Sequence, residues 1–280
     1  METKTAPPPP MRRSAPPQQS KAGPMTPVAG TFSVVSGVRR KARRVVPYGT
    51  GGIGKTSLVA GLADVGLNPI FLDLEGGTED MDVKALSGIN SWETLRGALN
   101  SPELDPFDTV VLDTASKAEE LAAKWVIANA PKADGDAATS LESFGYGKGY
   151  AYLCDQMTLL LADLDRIRDK GKNVILICHD CKASVPNPEG VDFIRYEPFL
   201  YHTKSGNSSV RDRVKNWADE ILFIGYDVFV SNKGKAKGSG TRQIFCQEQA
   251  TFVAKSRTLV GPYTYNKGDV QIWKDLFGKE

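Results

Sequence analysis

At 280 residues, with 41% hydrophobic and 24% charged side chains, the chain has the make-up of a globular protein with one substantial core, or one core and a small appendage. No apolar run reaches the ~18–20 residues of a membrane span, and the start lacks the apolar stretch of a secretory signal, so a membrane protein is excluded and a cytoplasmic one expected. The net charge of +2 is uneven: residues 1–48 hold nine Lys/Arg against Glu2 alone, +8, which leaves −6 on the rest, and this basic arm suits a polyanion partner or a solubilising tail equally.

Residues 1–30 contain eight of the seventeen prolines and almost no large apolar side chains, so residues 1–41 are expected to be a disordered, Pro-rich, basic arm ahead of a domain over 42–280. Arg43 to Tyr48 reads as a strand running into a glycine-rich turn, and Lys55 to Leu62 as a helix. Pro69 to Leu74 is a second short apolar strand. Ser91 can cap a helix through Leu99, and Thr109 to Leu112 is a third strand. Helical patterns cover 115–129 and 150–169, and Asn173 to Cys178 is a fourth strand. The segment 181–209 reads as a long polar loop, Arg211 to Asp219 as a helix and Ile221 to Val230 as a fifth strand. Residues 232–241 read as a flexible basic turn, 242–246 and 251–255 as late antiparallel strands, and Val270 to Phe277 as a short helix. Continuously apolar strands alternating with helices predict an α/β fold, a mostly parallel sheet with helices on both faces.

The turn after the first strand, Gly49-Thr50-Gly51-Gly52-Ile53-Gly54-Lys55-Thr56, satisfies GxxxxGK[ST] in full. Its backbone N–H groups can converge on phosphates at a helix N-terminus, Lys55 can reach the β and γ oxygens of ATP, and the Thr56 hydroxyl can ligate Mg2+. Ser57 completes the expected nucleotide-binding set. The third strand ends in Asp113, a second carboxylate for the metal or a cap for the following helix. Period-two alternation puts Asp73 and Glu75 on one face at the end of the second strand. Glu75 is the expected base that orients an attacking water, and Asp73 its support or a second metal contact; alternatively both are turn acids ahead of Gly76-Gly77. His179, at the tip of the fourth strand, is a γ-phosphate sensor or a structural histidine. Cys178 and Cys181 form one CxxC without a second, and read as buried thiols rather than metal ligands.

These residues together resemble the RecA-like P-loop ATPases, most closely the phage-encoded AAA-domain proteins called single-strand annealing or recombination ATPases. The resemblance covers about residues 42–260 and implies a catalytic glutamate at Glu75 and a polar sensor, commonly Gln, where His179 stands. Trp217-Ala218-Asp219-Glu220 and Ala254-Lys255-Ser256-Arg257 are similar to the WAD and AKxR elements of those proteins. The second implies Lys255 and Arg257 as fingers that reach the γ-phosphate of a neighbouring subunit, hence a homo-oligomer; the alternative is two solvated bases.

The resemblance also implies single-stranded DNA as partner, bound through loops after the third and fourth strands. Candidates are 130–150, with Phe144, Tyr146, Lys148 and Tyr150, and 181–209, with Lys182, Arg195, Tyr196, Tyr201, His202 and Lys204; Lys233, Lys235 and Lys237 add a basic turn. The expected function is ATP hydrolysis coupled to DNA annealing, recombination or replication in the cytoplasm, a host's if the chain is phage-encoded. The alternatives are a nucleotide switch or assembly factor acting on proteins, and a small-molecule kinase with a lid in 181–209.

Overall fold

A computed structural model describes residues 36, 41–132, 135–203, 209–230 and 236–278. Arg40–Glu280 is one compact unit; the other, Met1–Arg39, lies outside the described residues except for Ser36, and so does all of the expected arm but Ser36 and Lys41. An eight-stranded sheet runs in the order β10-β9-β8-β1-β5-β4-β2-β3. Its strands are β1 (Arg44–Gly49), β2 (Pro69–Asp73), β3 (Lys84–Leu86), β4 (Thr109–Asp113), β5 (Asn173–Ile177), β8 (Glu220–Val230), β9 (Ala236–Phe245) and β10 (Pro262–Tyr265). The six strands from β8 to β3 are parallel, and β9 and β10 add to β8 antiparallel. The described residues form a RecA-like α/β fold with late antiparallel strands.

Alternation along the buried strands divides the apolar side chains between two cores. Val45, Phe71, Val111, Ile175 and Ile177 face α1 (Lys55–Ala60) and α6 (Gln271–Phe277). Val46, Leu72, Val110, Leu112 and Leu176 face α2 (Trp92–Leu99), α3 (Ala115–Asn129), α4 (Lys148–Asp169) and α5 (Val210–Trp217). Each fully buried side chain of this size contributes roughly 1.5–3 kcal/mol. Ser91 caps α2 in a reciprocal box with Thr94, a device whose loss costs about 0.5–2 kcal/mol. Pro47 sits in the central strand. Its carbonyl accepts from the Cys178 N–H at 3.0 Å, but it has no N–H to return, and the β1–β5 ladder breaks after Val45.

Several expectations need correction. The segment read as a loop over 181–209 contains a hairpin, β6 (Asp180–Val185) and β7 (Phe193–Pro198). Residues 236–241 belong to β9 rather than to a turn. Residues 251–255 are not a strand: Phe252 and Lys255 make isolated bridges to Tyr196 and Ile221. Strands β3 and β10 were not expected. No described helix is long and apolar enough to cross a membrane.

The WAD-like element closes the sheet edge away from the P-loop. The Asp219 carboxylate accepts from the Arg44 backbone N–H, Nε and Nη2, and the Arg44 guanidinium lies 5.3 Å from the Trp217 ring. At the root of the hairpin, the Phe199 N–H donates to His179 O, Ser116 Oγ donates to Phe199 O, and the Glu119 carboxylate accepts the Tyr201 N–H at 2.9 Å. Burial pushes the Glu119 carboxyl up to about 7, against the opposing pull of the Tyr201 N–H and of Arg211.

A carboxyl raised by folding favours the fold while protonated. That contribution is intact below the unfolded value of 4.5 and is lost as pH rises through about 7. Glu119→Gln keeps an acceptor for Tyr201 and removes the buried charge. It is expected to stabilise the protein at pH 8 by about 1–3 kcal/mol and to be near neutral at pH 4; urea unfolding at the two pH values measures the difference.

Candidate nucleotide site

The parallel register sets the site. Asp73 pairs with Asp113, and Asp113 with Ile177, so the second, third and fourth predicted strands end in one row on the α1 face. Glu75 and His179 lie two residues beyond the outer members of that row and meet over the end of β4, with His179 Nε2 3.1 Å from Glu75 Oε2. Thr114 Oγ1 donates to Glu75 Oε1 at 2.8 Å from below.

The P-loop joins β1 to α1 and faces this row. Gly49 lies so close to β8 that a Cβ would stand 2.4 Å from Ile224 O, and Gly54 has φ +103°, so both positions require glycine. Ile53 contributes backbone only, because its side chain is buried in the α1-side core. Lys55 is buried, and its Nζ donates to Gly49 O at 2.8 Å and Thr50 O at 3.0 Å while standing 3.5 Å from His179 Nδ1. Burial lowers the Lys55 ammonium below its ordinary value, opposed by the charges of Asp113, Asp180 and Glu75. Thr56 Oγ1 donates to Asp113 Oδ2 at 2.6 Å. Burial raises the Asp113 carboxyl, opposed by the Thr56 bond and reinforced by the negative charges of Asp73 and Glu75.

These groups line one cleft of about 280 Å3, which also takes in Gly52, Gly54, Ser57, Gly77 and Met81. A hydroxyl facing a carboxylate, with a lysine and several backbone N–H groups beside them, fits a triphosphate and a hard cation that keeps most of its waters. Thr56 and Asp113 would hold Mg2+, and Lys55 with the Gly52–Ser57 backbone would hold the phosphates.

Asp73 is the last residue of β2. Its carboxylate accepts from the backbone N–H groups of Glu75, Gly76 and Thr78 and from the Thr78 hydroxyl, at 2.7–3.0 Å. Burial alone would raise this carboxyl, but those bonds outweigh it and hold it below the ordinary aspartate value. Asp73 therefore braces the turn that presents Glu75, the supporting one of its two expected roles.

Lys255 and Arg257 are not in the cleft. Lys255 pairs with Ile221, three residues before Ile224, which faces Gly49; that is about 10 Å down the strand. Lys255 Nζ donates to Lys215 O at 2.8 Å, burial lowers its ammonium, and Arg257 is exposed.

Of the expected DNA-contacting side chains, Phe144, Tyr150, Arg195, Tyr196, Tyr201 and His202 are engaged within the fold. Phe144 is buried against Tyr152, and Tyr150 stacks on Tyr201 at 4.4 Å. Arg195 pairs with Glu197 and Glu248, and His202 with Asp212. Lys204, Lys233 and Lys235 lie outside the described residues. Lys182 and Tyr146 are exposed. Cys178 is buried and Cys181 half-buried, and among the described residues no group of three His, Cys, Asp or Glu is placed to hold a metal.

Sequence reading missed Thr114, although it directly follows Asp113. It also missed Arg242 and Tyr265, which contact the P-loop at Ile53 O and Gly54 O from strands 189 and 211 residues away and carry no local signal.

A family described as "AAA domain" matches residues 41–258. No curated protein matches the chain. Among solved structures, the chain is similar to the flagellar accessory protein FlaH from Methanocaldococcus jannaschii, at 10% identity and TM-score 0.40 over 81% of this chain and 90% of that one. It is also similar to the KaiC-like protein PH0186 from Pyrococcus horikoshii OT3, at 12% identity and TM-score 0.43 over 81% and 86%.

The two aspartates separate by substitution. Asp73→Asn is expected to lower stability by about 1–3 kcal/mol through the lost charge-assisted bonds while leaving the Mg2+ concentration needed for nucleotide binding unchanged. Asp113→Asn is expected to raise that concentration and to leave stability the same or higher, since it removes a desolvated charge. Thermal unfolding and nucleotide titration at graded Mg2+ check both.

Proposed function

The chain belongs to the AAA-domain family, and on that premise we propose that it binds and hydrolyses ATP with Mg2+, assembles with copies of itself, and acts on single-stranded DNA in annealing, recombination or replication, as a phage-encoded protein working in a host cytoplasm. The observation that carries the hydrolytic part is the Glu75–His179 pair, set beside Lys55 and over the Thr56–Asp113 bond.

When bound, Mg2+ neutralises phosphate charge and polarises the terminal phosphoryl group. Lys55 turns from the Gly49 and Thr50 carbonyls to the β and γ oxygens. Glu75 Oε accepts a proton from the attacking water, with Thr114 Oγ1 and His179 Nε2 fixing the carboxylate. His179 is bonded through its backbone to the hairpin root, so the terminal phosphate and the hairpin share one residue.

The outward face of that hairpin supports a partner. Lys182 pairs with Tyr196 and Ser184 with Ile194; Lys182, Ser184 and Ile194 are exposed, while the Tyr196 ring, 36% exposed, rests on buried Phe223 with centroids 5.3 Å apart. Lysine beside an aromatic ring suits a single strand. Val191, Ile194 and Phe199 are 56–87% exposed, which favours the second reading, a nucleotide switch acting on a protein through the same hairpin. A kinase is the weakest reading, because Arg195, the arginine a lid would need, is tied to Glu197 and Glu248. Of the two candidate fingers, exposed Arg257 is the better placed to reach a second subunit, and Lys255 must first leave Lys215 O.

Phosphate release from ATP, measured with and without single-stranded DNA over a range of protein concentrations, tests this reading. Stimulation by DNA, with Lys55→Ala and Glu75→Gln each lowering turnover about 100-fold or more, is the expected result. Turnover that DNA leaves unchanged at every concentration would transfer the assignment to the protein-directed switch.

A further inference from the structure

The three strands from β8 to β10 place a row of side chains beside the phosphate cradle that the P-loop motif does not call for. Tyr226 of β8 pairs directly with Arg242 of β9, and Arg242 pairs directly with Tyr265 of β10. Directly paired residues share a face of the sheet. Ile224 and Ile244, paired one step back along the same strands, belong to the α1-side core, so the row stands on the α1 face. Gly49 pairs with Ile224, and Tyr226 is two residues further on, about 7 Å beyond the level at which the P-loop begins.

Two members of the row are fitted to the P-loop. Tyr265 is buried and its hydroxyl donates to Gly54 O at 2.8 Å. Arg242 Nη1 donates to Ile53 O at 3.0 Å, and its guanidinium lies 4.6 Å from the Tyr265 ring. A Cβ on Gly54 would stand 2.9 Å from Arg242 Nη1 and 3.0 Å from the Tyr265 hydroxyl, so loop and row are in direct contact. Tyr226 differs from them: it is a large aromatic, 50% exposed, with no share in either core, next to Arg242 on the same face.

We propose that Tyr226 and Arg242 form the stacking platform for the base of the nucleoside triphosphate, with Tyr265 as the backing that holds Arg242 flat. The proposal rests on the nucleotide reading of the cleft and deepens it by assigning the nucleoside end. A base presents a π face to an aromatic ring and to a guanidinium alike, and such stacking tolerates any base. The platform therefore separates nucleoside triphosphates from bare polyphosphate, rather than adenine from guanine.

Equilibrium titration of the full chain with ATP and with inorganic tripolyphosphate, both with Mg2+, tests it. The wild-type protein is expected to bind ATP more tightly than tripolyphosphate. Tyr226→Ala, which leaves the Arg242 and Tyr265 bonds to the P-loop in place, should weaken ATP about 5- to 30-fold and leave tripolyphosphate within about twofold, and Tyr226→Phe should restore ATP. Arg242→Ala should weaken ATP further than tripolyphosphate, and Arg242→Lys, which keeps the charge without the planar face, should not rescue it. Unchanged ATP affinity in Tyr226→Ala, or equal losses for the two ligands, would overturn the platform. A wild-type protein that binds the two ligands equally would also overturn it while leaving the phosphate cradle intact; one that binds neither would remove the cradle itself.

Discussion

The site depends on one register. Because β4 lies between β2 and β5, and Asp73, Asp113 and Ile177 stand in one row, three strands end at a common level on the α1 face. A slip of one residue in any of them would turn its terminal side chain to the other face of the sheet. What holds the register is burial: Phe71, Val111 and Ile175 lie one step back on that face and are fully buried beneath α1 and α6. Core packing thus delivers an acid from β4 to Thr56, and a Glu and a His across the β4 end to each other, without any of these side chains having to supply folding energy.

The two edges of the parallel sheet are used differently. At the edge near Arg44 the charges are closed on one another: Arg44 with Asp219 and Asp165, Arg43 with Glu220. At the P-loop edge the charges are held apart from complete neutralisation. Lys55 donates to carbonyls, Asp113 meets a hydroxyl, and desolvation shifts both groups toward their neutral forms. A cleft in which a lysine and an aspartate are each under-solvated gains when phosphate and cation arrive, because both then acquire the counter-charge they lack.

Much of this was legible in the sequence because it is local. Strand–GxxxxGK[ST]–helix is a contiguous pattern, and an apolar run ending in an acid marks a strand tip; the residues from Gly49 to Thr56, Asp113, Glu75 and His179 were all placed by such patterns. The hairpin β6–β7 reads as a loop because Pro186-Asn187-Pro188-Glu189-Gly190 dominates its centre, while the alternation of Cys181, Ala183 and Val185 with Lys182 and Ser184 is too polar to register as a strand. The three-residue strand β3 has exposed Lys84 and Ala85 and no periodicity to detect. The stretch 251–255 reads as a strand from its apolar centre, but its backbone bonds divide between Tyr196 on one side and Ile221 on the other, so no ladder forms. Asp73 shows the same limit within the site. Its position was readable, but the four donors that occupy its oxygens come from the fold of the turn.

Tyr48 joins what these separate pieces leave apart. It is the last residue before the P-loop, fully buried, and its hydroxyl donates to Val253 O at 2.6 Å while lying 3.1 Å from Tyr196 O. Tyr196 belongs to the hairpin that begins beside His179. Val253 opens the segment that carries Lys255 and Arg257, and the two are bonded to each other through the Val253 N–H. Burial drives the Tyr48 phenol well above its ordinary value, which favours the neutral, donating form. The strand that ends in the phosphate cradle, the hairpin rooted at the Glu75 partner, and the segment bearing the two basic residues therefore converge on one hydroxyl. None of the three can shift without either carrying the others along or leaving a buried polar group unpaired, at a cost of about 1–3 kcal/mol.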